Sequence, residues 1–234
     1  MKFFRFKQFQ ITDERSSMKV GTDSVLLGSW LRNANYKSVL DIGCGSGLIS
    51  LLIAQRFEQA HIFAVEIDAA ACLDADFNFK QSPWSDRLKV ENADVRGLKV
   101  GRQYDLIISN PPFFNNSLLP DDKSKAKARH DESLLLIDLF AFVHKAISKN
   151  GVFAMVFPFD RQEELLHIAA QFDLFPHRIL HTRNRPDAEI KRAFIEFGKE
   201  RLSDVVFETL SIRNQDSIYS EDYKKLTSMF YLNF

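Results

Sequence analysis

Cysteine is scarce in this chain, and its scarcity removes two classes of protein from consideration. Only Cys44 and Cys72 occur among 234 residues, and neither lies in a cluster of cysteines and histidines. A disulfide-stapled scaffold and a zinc site of the usual spacing are therefore not predicted. Long apolar runs are missing as well, so neither a signal peptide nor a membrane span is predicted. We expect a cytoplasmic protein with no resident metal.

Net charge and low-complexity sequence are also missing. The chain has 31 basic and 31 acidic residues, so its net charge is zero and its overall composition carries no sign of nucleic-acid binding. Internal repeats and linkers rich in proline or glycine are absent. With 45% hydrophobic residues, a chain of this length can bury one large α/β core.

A glycine-rich loop follows the first predicted buried strand. The strand, Ser38–Ile42, runs into Gly43-Cys44-Gly45-Ser46-Gly47, and a helix-spaced apolar segment comes next. Glycines permit a tight turn and let a ligand lie against the backbone. Their spacing differs from that of dinucleotide-binding loops and of P-loops. Asp41, at the carboxyl end of the strand, is placed to receive a cationic amino group.

Two further strand ends carry carboxylates. The segment His61–Val65 ends at Glu66, about twenty residues beyond the glycines, where related folds bind ribose hydroxyls. Asp68 is the nearest substitute for Glu66, although we expect it to begin the next helix. A third strand ends near Asp94, whose carboxylate is placed to accept a hydrogen bond from an adenine amine.

The tetrapeptide Asn110-Pro111-Pro112-Phe113 closes a fourth predicted strand, Tyr104–Ser109. Two prolines fix the backbone past the strand end, so the Asn110 amide and the Pro111 carbonyl can act as two acceptors for one NH2 group. Gripping both N–H bonds turns the nitrogen lone pair toward an electrophile. Phe113 and Phe114 offer a flat surface on which a planar group can stack. Taken alone, the tetrapeptide is equally compatible with an ordinary proline-stiffened loop.

Together, these strand ends resemble the class I S-adenosylmethionine-dependent methyltransferases, in particular the branch that methylates amino groups. Three flanking segments look like the bacterial enzymes that methylate N6 of adenine 37 in valine tRNA. These segments are Lys19–Gly28, Arg129–Asp131 and Ile218–Leu232. Phe113 stands where these families often have tyrosine, which keeps the stacking ring and removes a hydroxyl.

The resemblance implies an α/β, Rossmann-like class I methyltransferase fold. Its doubly wound, mostly parallel sheet has seven strands in the order 3-2-1-4-5-7-6, with an antiparallel last strand. The chain itself agrees: strand and helix patterns alternate up to Gly151, and the extended segments Phe175–His181 and Lys191–Gly198 predict a closing hairpin. Residues 1–234 then form a single domain, with 1–36 as an accessory cap over the cofactor, and a monomer is favoured.

S-adenosylmethionine is the implied cofactor and tRNA the implied partner. The predicted cofactor-binding residues are Asp41, Gly43, Cys44, Gly45, Gly47, Glu66, Ile67, Asp94, Val95 and Asn110. The predicted catalytic residues are Asn110, Pro111, Pro112 and Phe113. The predicted substrate-binding residues are Phe113, Phe114, Lys123, Lys125, Lys127, Arg129, Arg183 and Arg192.

The basic residues in this prediction form two groups, one just after the tetrapeptide and one in the hairpin. Both would lie near the carboxyl ends of the strands, where such folds place their ligand crevice. The hairpin group is Arg178, His181, Arg183, Arg185, Lys191 and Arg192. A solvated surface is the alternative interpretation of the first group.

In-line methyl transfer to adenine N6 is the predicted reaction, and it needs alignment rather than a strong base. Two alternatives stay open. The same tetrapeptide serves N5-methylation of a glutamine amide in translation release factors, and basic residues around the mouth would favour tRNA instead. A cofactor-binding RNA scaffold without turnover is the second alternative, against which the intact tetrapeptide argues.

Overall fold

The computed structural model describes residues 2–111 and 136–233. Its helices are α1 (Thr22–Trp30), α2 (Leu48–Arg56), α3 (Ala69–Gln81), α4 (described over 136–146), α5 (Gln162–Gln171) and α6 (Glu221–Thr227). Its strands are β1 (Phe4–Arg5), β2 (Gln10–Ile11), β3 (Ser38–Ile42), β4 (His61–Glu66), β5 (Leu88–Asn92), β6 (Tyr104–Ser109), β7 (Ile147–Pro158), β8 (Phe175–Arg183), β9 (Ile190–Gly198) and β10 (Val206–Ser211).

The main sheet has the order β10-β8-β9-β7-β6-β3-β4-β5, and β1 and β2 form a separate hairpin. Counted from β3 to β9, seven strands follow the predicted order 3-2-1-4-5-7-6, which is confirmed. The strand β9 runs antiparallel to both neighbours, also as predicted. The eighth strand, β10, pairs in parallel with β8 and corrects the predicted count of seven. Val206 and Phe207 in β10 are exposed, so this strand lacks the alternation of buried and exposed residues from which a strand can be predicted.

Apolar side chains cover both faces of the sheet because successive strand residues point to opposite sides. In β6, Leu106 and Ile108 belong to the core that α1, α2 and α3 cover, whereas Ile107 belongs to the core under α4 and α5. All three are fully buried. This two-sided burial explains why the parallel strands read as continuous hydrophobic runs. Among the described helices, none is long and apolar enough to cross a membrane.

The N-terminal segment is fastened to α3 by two buried polar side chains. Asn78 Oδ1 accepts from the Thr12 backbone N–H at 3.0 Å, and Asn78 Nδ2 donates to the Thr12 carbonyl at 2.8 Å. Asp74 Oδ2 accepts from the backbone N–H groups of Arg15 and Ser16 at 2.7 and 3.0 Å. The same Asn78 Nδ2 also donates to Ser46 O at 2.9 Å. Asn78 therefore joins the N-terminal segment to the glycine loop.

The two ends of the chain also meet. The Lys7 backbone N–H donates to Phe230 O at 2.8 Å, and Lys7 Nζ donates to Ser228 O at 2.6 Å. Tyr231 lies within 5.6 Å of Phe6, measured between ring centroids. The first and last residues of the fold therefore stabilise one another.

Candidate active site

The glycine loop lies at the carboxyl edge of the sheet, between β3 and α2. Its glycines Gly43, Gly45 and Gly47 have φ values of 69°, 56° and 84°, a left-handed region that other residues adopt only with strain. A side chain at Gly47 would also clash with the Phe79 ring, whereas nothing lies within 4 Å of a Cβ placed on Gly43. The loop is therefore tightly constrained on one side and open on the other.

Glu66, the last residue of β4, supports this loop. Its Oε2 accepts from the Gly45 N–H at 2.7 Å and its Oε1 from the Asp68 N–H at 2.9 Å. Asn92 Nδ2 stabilises the turn that follows β4 by donating to the carbonyls of Glu66 and Ile67. A carboxylate oxygen has two lone pairs, so each Glu66 oxygen can accept one more hydrogen bond.

Asp41 is the most deeply buried carboxyl group near the loop. Its Oδ2 accepts from Ser50 Oγ at 2.7 Å, and its Oδ1 has no hydrogen-bond partner within the described part of the chain. Burial raises the pKa of Asp41 to about 7, and the neighbouring negative charge of Glu66 contributes to this rise. A cation beside Asp41 and Glu66 would stabilise the ionised form of each carboxyl group and so oppose this rise in pKa.

Asn110 follows β6 directly and is 7% exposed. Its Nδ2 donates to Ser24 Oγ at 2.9 Å, while its Oδ1 finds no partner among the residues that the structure describes. Ser109 Oγ donates to Ile42 O at 2.9 Å, which fixes the end of β6 against the end of β3. The sheet thus presents a buried amide oxygen without a donor beside the glycine loop.

One cavity lies between the glycine loop and Asn110, and neither Asp41 nor Glu66 lines it. Its volume is about 30 Å³, room for a water-sized group and far below the roughly 300–1,000 Å³ of small-molecule sites. The N-terminal segment and α1 form one wall, and the glycine loop forms the other. The lining residues are Met18, Lys19, Val20, Ser24, Gly43, Cys44, Gly45, Ser46, Leu48, Ile49 and Asn110. The described lining therefore brings together the glycine loop and Asn110, which the sequence placed about seventy residues apart.

The remaining predicted cofactor residues are not among the lining of this cavity. Ile67 is 65% exposed beside Glu66, and Val95 opens the short 3-10 helix Val95–Gly97. Asp94 caps that helix, and Arg96 hydrogen bonds to both carboxylate oxygens, which lowers the pKa of Asp94. Asp68 accepts from the Ala70 N–H and begins α3, as expected.

Cys44, in the glycine loop, has a buried side chain. Burial raises the pKa of its thiol well above the ordinary value, so the group stays protonated and weakly nucleophilic. The described residues contain no group of three or more His, Cys, Asp or Glu side chains placed to hold a metal.

Several predicted substrate and catalytic residues lie outside the described residues, and their roles stay predictions. They are Pro112, Phe113, Phe114, Lys123, Lys125, Lys127 and Arg129.

The hairpin residues divide into two kinds. Arg183 and Arg192 lie at the carboxyl edge of the sheet, where Arg183 Nε donates to Ser211 Oγ at 3.0 Å and Arg192 Nε to Asp23 Oδ2 at 2.9 Å. Arg178 was expected at this edge, and that expectation is wrong. It lies five residues before the end of β8, where its guanidinium donates to Glu208 and to the Trp30 carbonyl and stacks on the Trp30 ring.

Four polar residues that organise the site were not identified from the sequence. Ser24 hydrogen bonds to Asn110, and Ser50 hydrogen bonds to Asp41. Asp74 holds the N-terminal segment, and Asn78 holds the glycine loop. For Ser50, Asp74 and Asn78 the available signal was their position on buried faces of helices, since a buried polar side chain needs a specific partner, whereas Ser24 is only half-buried. The identity of that partner depends on tertiary contacts.

Comparison with known proteins gives consistent results along the chain. Residues 15–129 match the methyltransferase small domain. A tRNA1(Val) (adenine(37)-N6)-methyltransferase of Flavobacterium johnsoniae is 37% identical over 232 residues, covering 98% of this chain and 99% of that protein. A protein of the same name from Yersinia enterocolitica is 38% identical over 234 residues, covering 99% of this chain and 93% of its own length.

Solved structures share the fold at much lower identity. A predicted O-methyltransferase from Agrobacterium tumefaciens has a TM-score of 0.72 at 17% identity, covering 89% of this chain and 96% of its own. A precorrin-6y C5,15-methyltransferase from Geobacter metallireducens has a TM-score of 0.55 at 13% identity, covering 82% and 93%. These likenesses establish a Rossmann-like methyltransferase fold. With relatives of this identity along nearly its whole length, the chain belongs to the family of tRNA1(Val) (adenine(37)-N6)-methyltransferases.

Proposed function

We propose that this protein transfers a methyl group from S-adenosylmethionine to N6 of adenine 37 in the anticodon loop of valine tRNA. The relatives that carry this activity in their names support the substrate. The observation that carries the proposal is the buried Oδ1 of Asn110, which has no partner among the described residues and lies at a cavity that the glycine loop also lines.

The chemistry of the residues at this edge of the sheet fits the cofactor. S-adenosylmethionine supplies an electrophilic methyl group on a cationic sulfonium when it is bound. The open side of Gly43 leaves room for a ligand against the backbone, and Asp41 and Glu66 favour a nearby positive charge. Glu66 is already oriented by two backbone N–H groups and keeps free lone pairs for ribose hydroxyls.

Flanking residues complete the proposed cofactor site. Ile67 and Val95 would border the adenine ring, and Asp94 would accept from its amine. Arg96 forms an ion pair with Asp94, but the pair is partly exposed and therefore weak. An adenine amine could share the carboxylate at little cost in free energy. Residues 1–36 would act as a cap within a single domain, because Met18, Lys19 and Val20 already form the outer wall of the cavity.

Asn110 has the central role in the proposed chemistry. Its Oδ1 would accept one N–H of the target amine, and the Pro111 carbonyl would accept the other. The two acceptors turn the nitrogen lone pair away from the ring system and stabilise the positive charge that develops on nitrogen. None of the described residues that line the cavity is a histidine or a carboxylate. This composition suits a reaction in which the product aminium releases its proton to a weak acceptor or water.

The adenine must leave its stack to reach Asn110, because an amide buried to this degree cannot approach a stacked base. An anticodon-loop adenine costs less to extrude than a base inside a duplex. Arg183, at the carboxyl edge, is placed for a phosphate contact. Arg192 forms an ion pair with Asp23, so we assign it a structural role in preference to a role in substrate binding.

A methyl-transfer assay tests the proposal directly. Radiolabelled S-adenosylmethionine is supplied with unmodified valine tRNA, with the same tRNA carrying G at position 37, and with a translation release factor. We expect label only in the first substrate, and loss of roughly 100- to 1,000-fold in rate for Asn110→Ala with cofactor binding retained. Label in the release factor alone would assign the protein to glutamine methylation. Binding of cofactor without any transfer would favour the scaffold.

A further inference from the structure

The N-terminus of α1 meets the end of β6 at one side chain. Asn110 Nδ2 donates to Ser24 Oγ at 2.9 Å, across 86 residues of sequence. The terminal torsion of a carboxamide is broad, so a partner is needed to hold its plane in one position. A hydroxyl can accept from Nδ2 or donate to Oδ1, so Ser24 fixes the plane of the group and does not choose between its two ends.

We propose that Ser24 is a positioning residue that holds the plane of the Asn110 carboxamide in place for the reacting amine. This inference rests on the proposed function of Asn110. Ser24 Oγ accepts from Nδ2, and Oδ1 has no partner among the described residues. With one end of the carboxamide held in place, the oxygen at the other end keeps a fixed position from which it can accept from the substrate.

The position of Ser24 is itself well fixed. The preceding residue, Asp23, forms an ion pair with Arg192 at 2.9 Å, and this contact ties the start of α1 to β9. All residues from Val25 to Trp30 are buried against the core. Ser24 is thus the point where a rigid helix end reaches the cavity, and it lines that cavity together with Asn110.

Three serine variants test the inference by steady-state kinetics. Ser24→Ala removes the acceptor, Ser24→Thr keeps a hydroxyl, and Ser29→Ala is the matched control on the same helix. Ser29 Oγ donates to Val25 O at 2.6 Å and does not line the cavity. We expect Ser24→Ala to lower kcat by roughly 10- to 100-fold while KM for S-adenosylmethionine and tRNA changes by less than about threefold. Ser24→Thr should recover most of kcat, and Ser29→Ala should lower Tm without lowering kcat.

A second measurement needs no activity. The side-chain amide signals of Asn110 can be assigned in an NMR spectrum by their loss in Asn110→Asp. We expect these signals to be protected from exchange with solvent in the wild-type protein and in Ser24→Thr, and to exchange roughly tenfold faster or more in Ser24→Ala, because the amide N–H then lacks its acceptor.

The outcomes separate the inference from the proposed function. If wild-type protein methylates tRNA and Asn110→Ala does not, but Ser24→Ala turns over normally, Ser24 has no positioning role. Equal losses in Ser24→Ala and Ser24→Thr would also overturn it, because the hydroxyl would then be irrelevant. If wild-type protein fails to methylate tRNA, the proposed function fails, and unchanged amide exchange in Ser24→Ala would still refute the contact.

Discussion

Replacing Asp41 by asparagine should stabilise the ligand-free protein at alkaline pH and weaken its binding of cofactor. The folded protein raises the pKa of Asp41 from 3.8 to about 7, chiefly because the carboxyl group is fully buried. A carboxyl group whose pKa is raised on folding binds more protons in the folded state than in the unfolded state. The wild-type protein therefore loses stability as pH rises from about 4 to about 7. The asparagine side chain of the variant cannot ionise, so the variant lacks this loss.

The magnitude follows from the size of the pKa shift. Each pKa unit corresponds to about 1.4 kcal/mol, so the full shift amounts to about 4 kcal/mol at most, of which roughly 3 kcal/mol falls between pH 5 and pH 8. The asparagine Nδ2 would take the place of the unpartnered Oδ1, at a cost of about 1–3 kcal/mol that does not depend on pH. The pH dependence of the difference is therefore the informative quantity.

Urea unfolding of Asp41→Asn and of the wild-type protein at pH 5 and pH 8 measures this difference. We expect the variant to gain roughly 3 kcal/mol relative to the wild type between the two pH values. Calorimetry with S-adenosylhomocysteine at pH 8 should show weaker binding by the variant, because a negative charge near the ligand amino group is lost. An identical stability difference at both pH values would refute the assignment of a buried carboxyl group with a raised pKa.

Three further perturbations have defined outcomes. Glu66→Ala should weaken S-adenosylhomocysteine binding by about 2–4 kcal/mol in calorimetry, whereas Asp68→Ala, which removes only a helix cap, should leave affinity intact; equal affinity in both variants would remove Glu66 from the site. Asn78→Ala should lower the free energy of unfolding in urea by about 2–4 kcal/mol, because three buried hydrogen bonds lose their partner. A loss below about 0.5 kcal/mol would contradict the role of Asn78 in joining the N-terminal segment to the glycine loop. Neutralising four basic residues together should raise KM for tRNA and flatten its salt dependence without changing cofactor affinity, and an unaltered salt slope would identify a solvated surface. Those residues are Lys123, Lys125, Lys127 and Arg129.

The sequence was sufficient for the parallel part of the fold because strands buried on both faces leave a strong local signal. Asp41, Glu66 and Asn110 each lie within one residue of the end of such a strand, and the carboxyl ends of parallel strands meet at one edge. Their proximity could therefore be predicted without knowing any side-chain contact.

The contacts between distant segments could not be predicted in this way. Ser24 and Asn78 are ordinary polar residues in helical patterns, and their partners lie 86 and 66 residues away. Arg178 was expected near the ligand crevice, but a carboxylate on the neighbouring strand and an indole on α1 engage its guanidinium. Such pairings depend on which elements become neighbours in the folded protein.

The pairing of Lys7 with Phe230 has a consequence for how the protein matures on the ribosome. The first segment of the chain reaches its final partner only after more than two hundred further residues have been synthesised. At a typical rate of about 5–20 residues per second, that interval is about 10–45 seconds. During this time the hairpin Phe4–Ile11, with its stacked Phe6 and Phe9 rings, lacks its C-terminal cover. Nascent chains should therefore expose an aromatic segment that chaperones can bind until the segment around Phe230 has been synthesised.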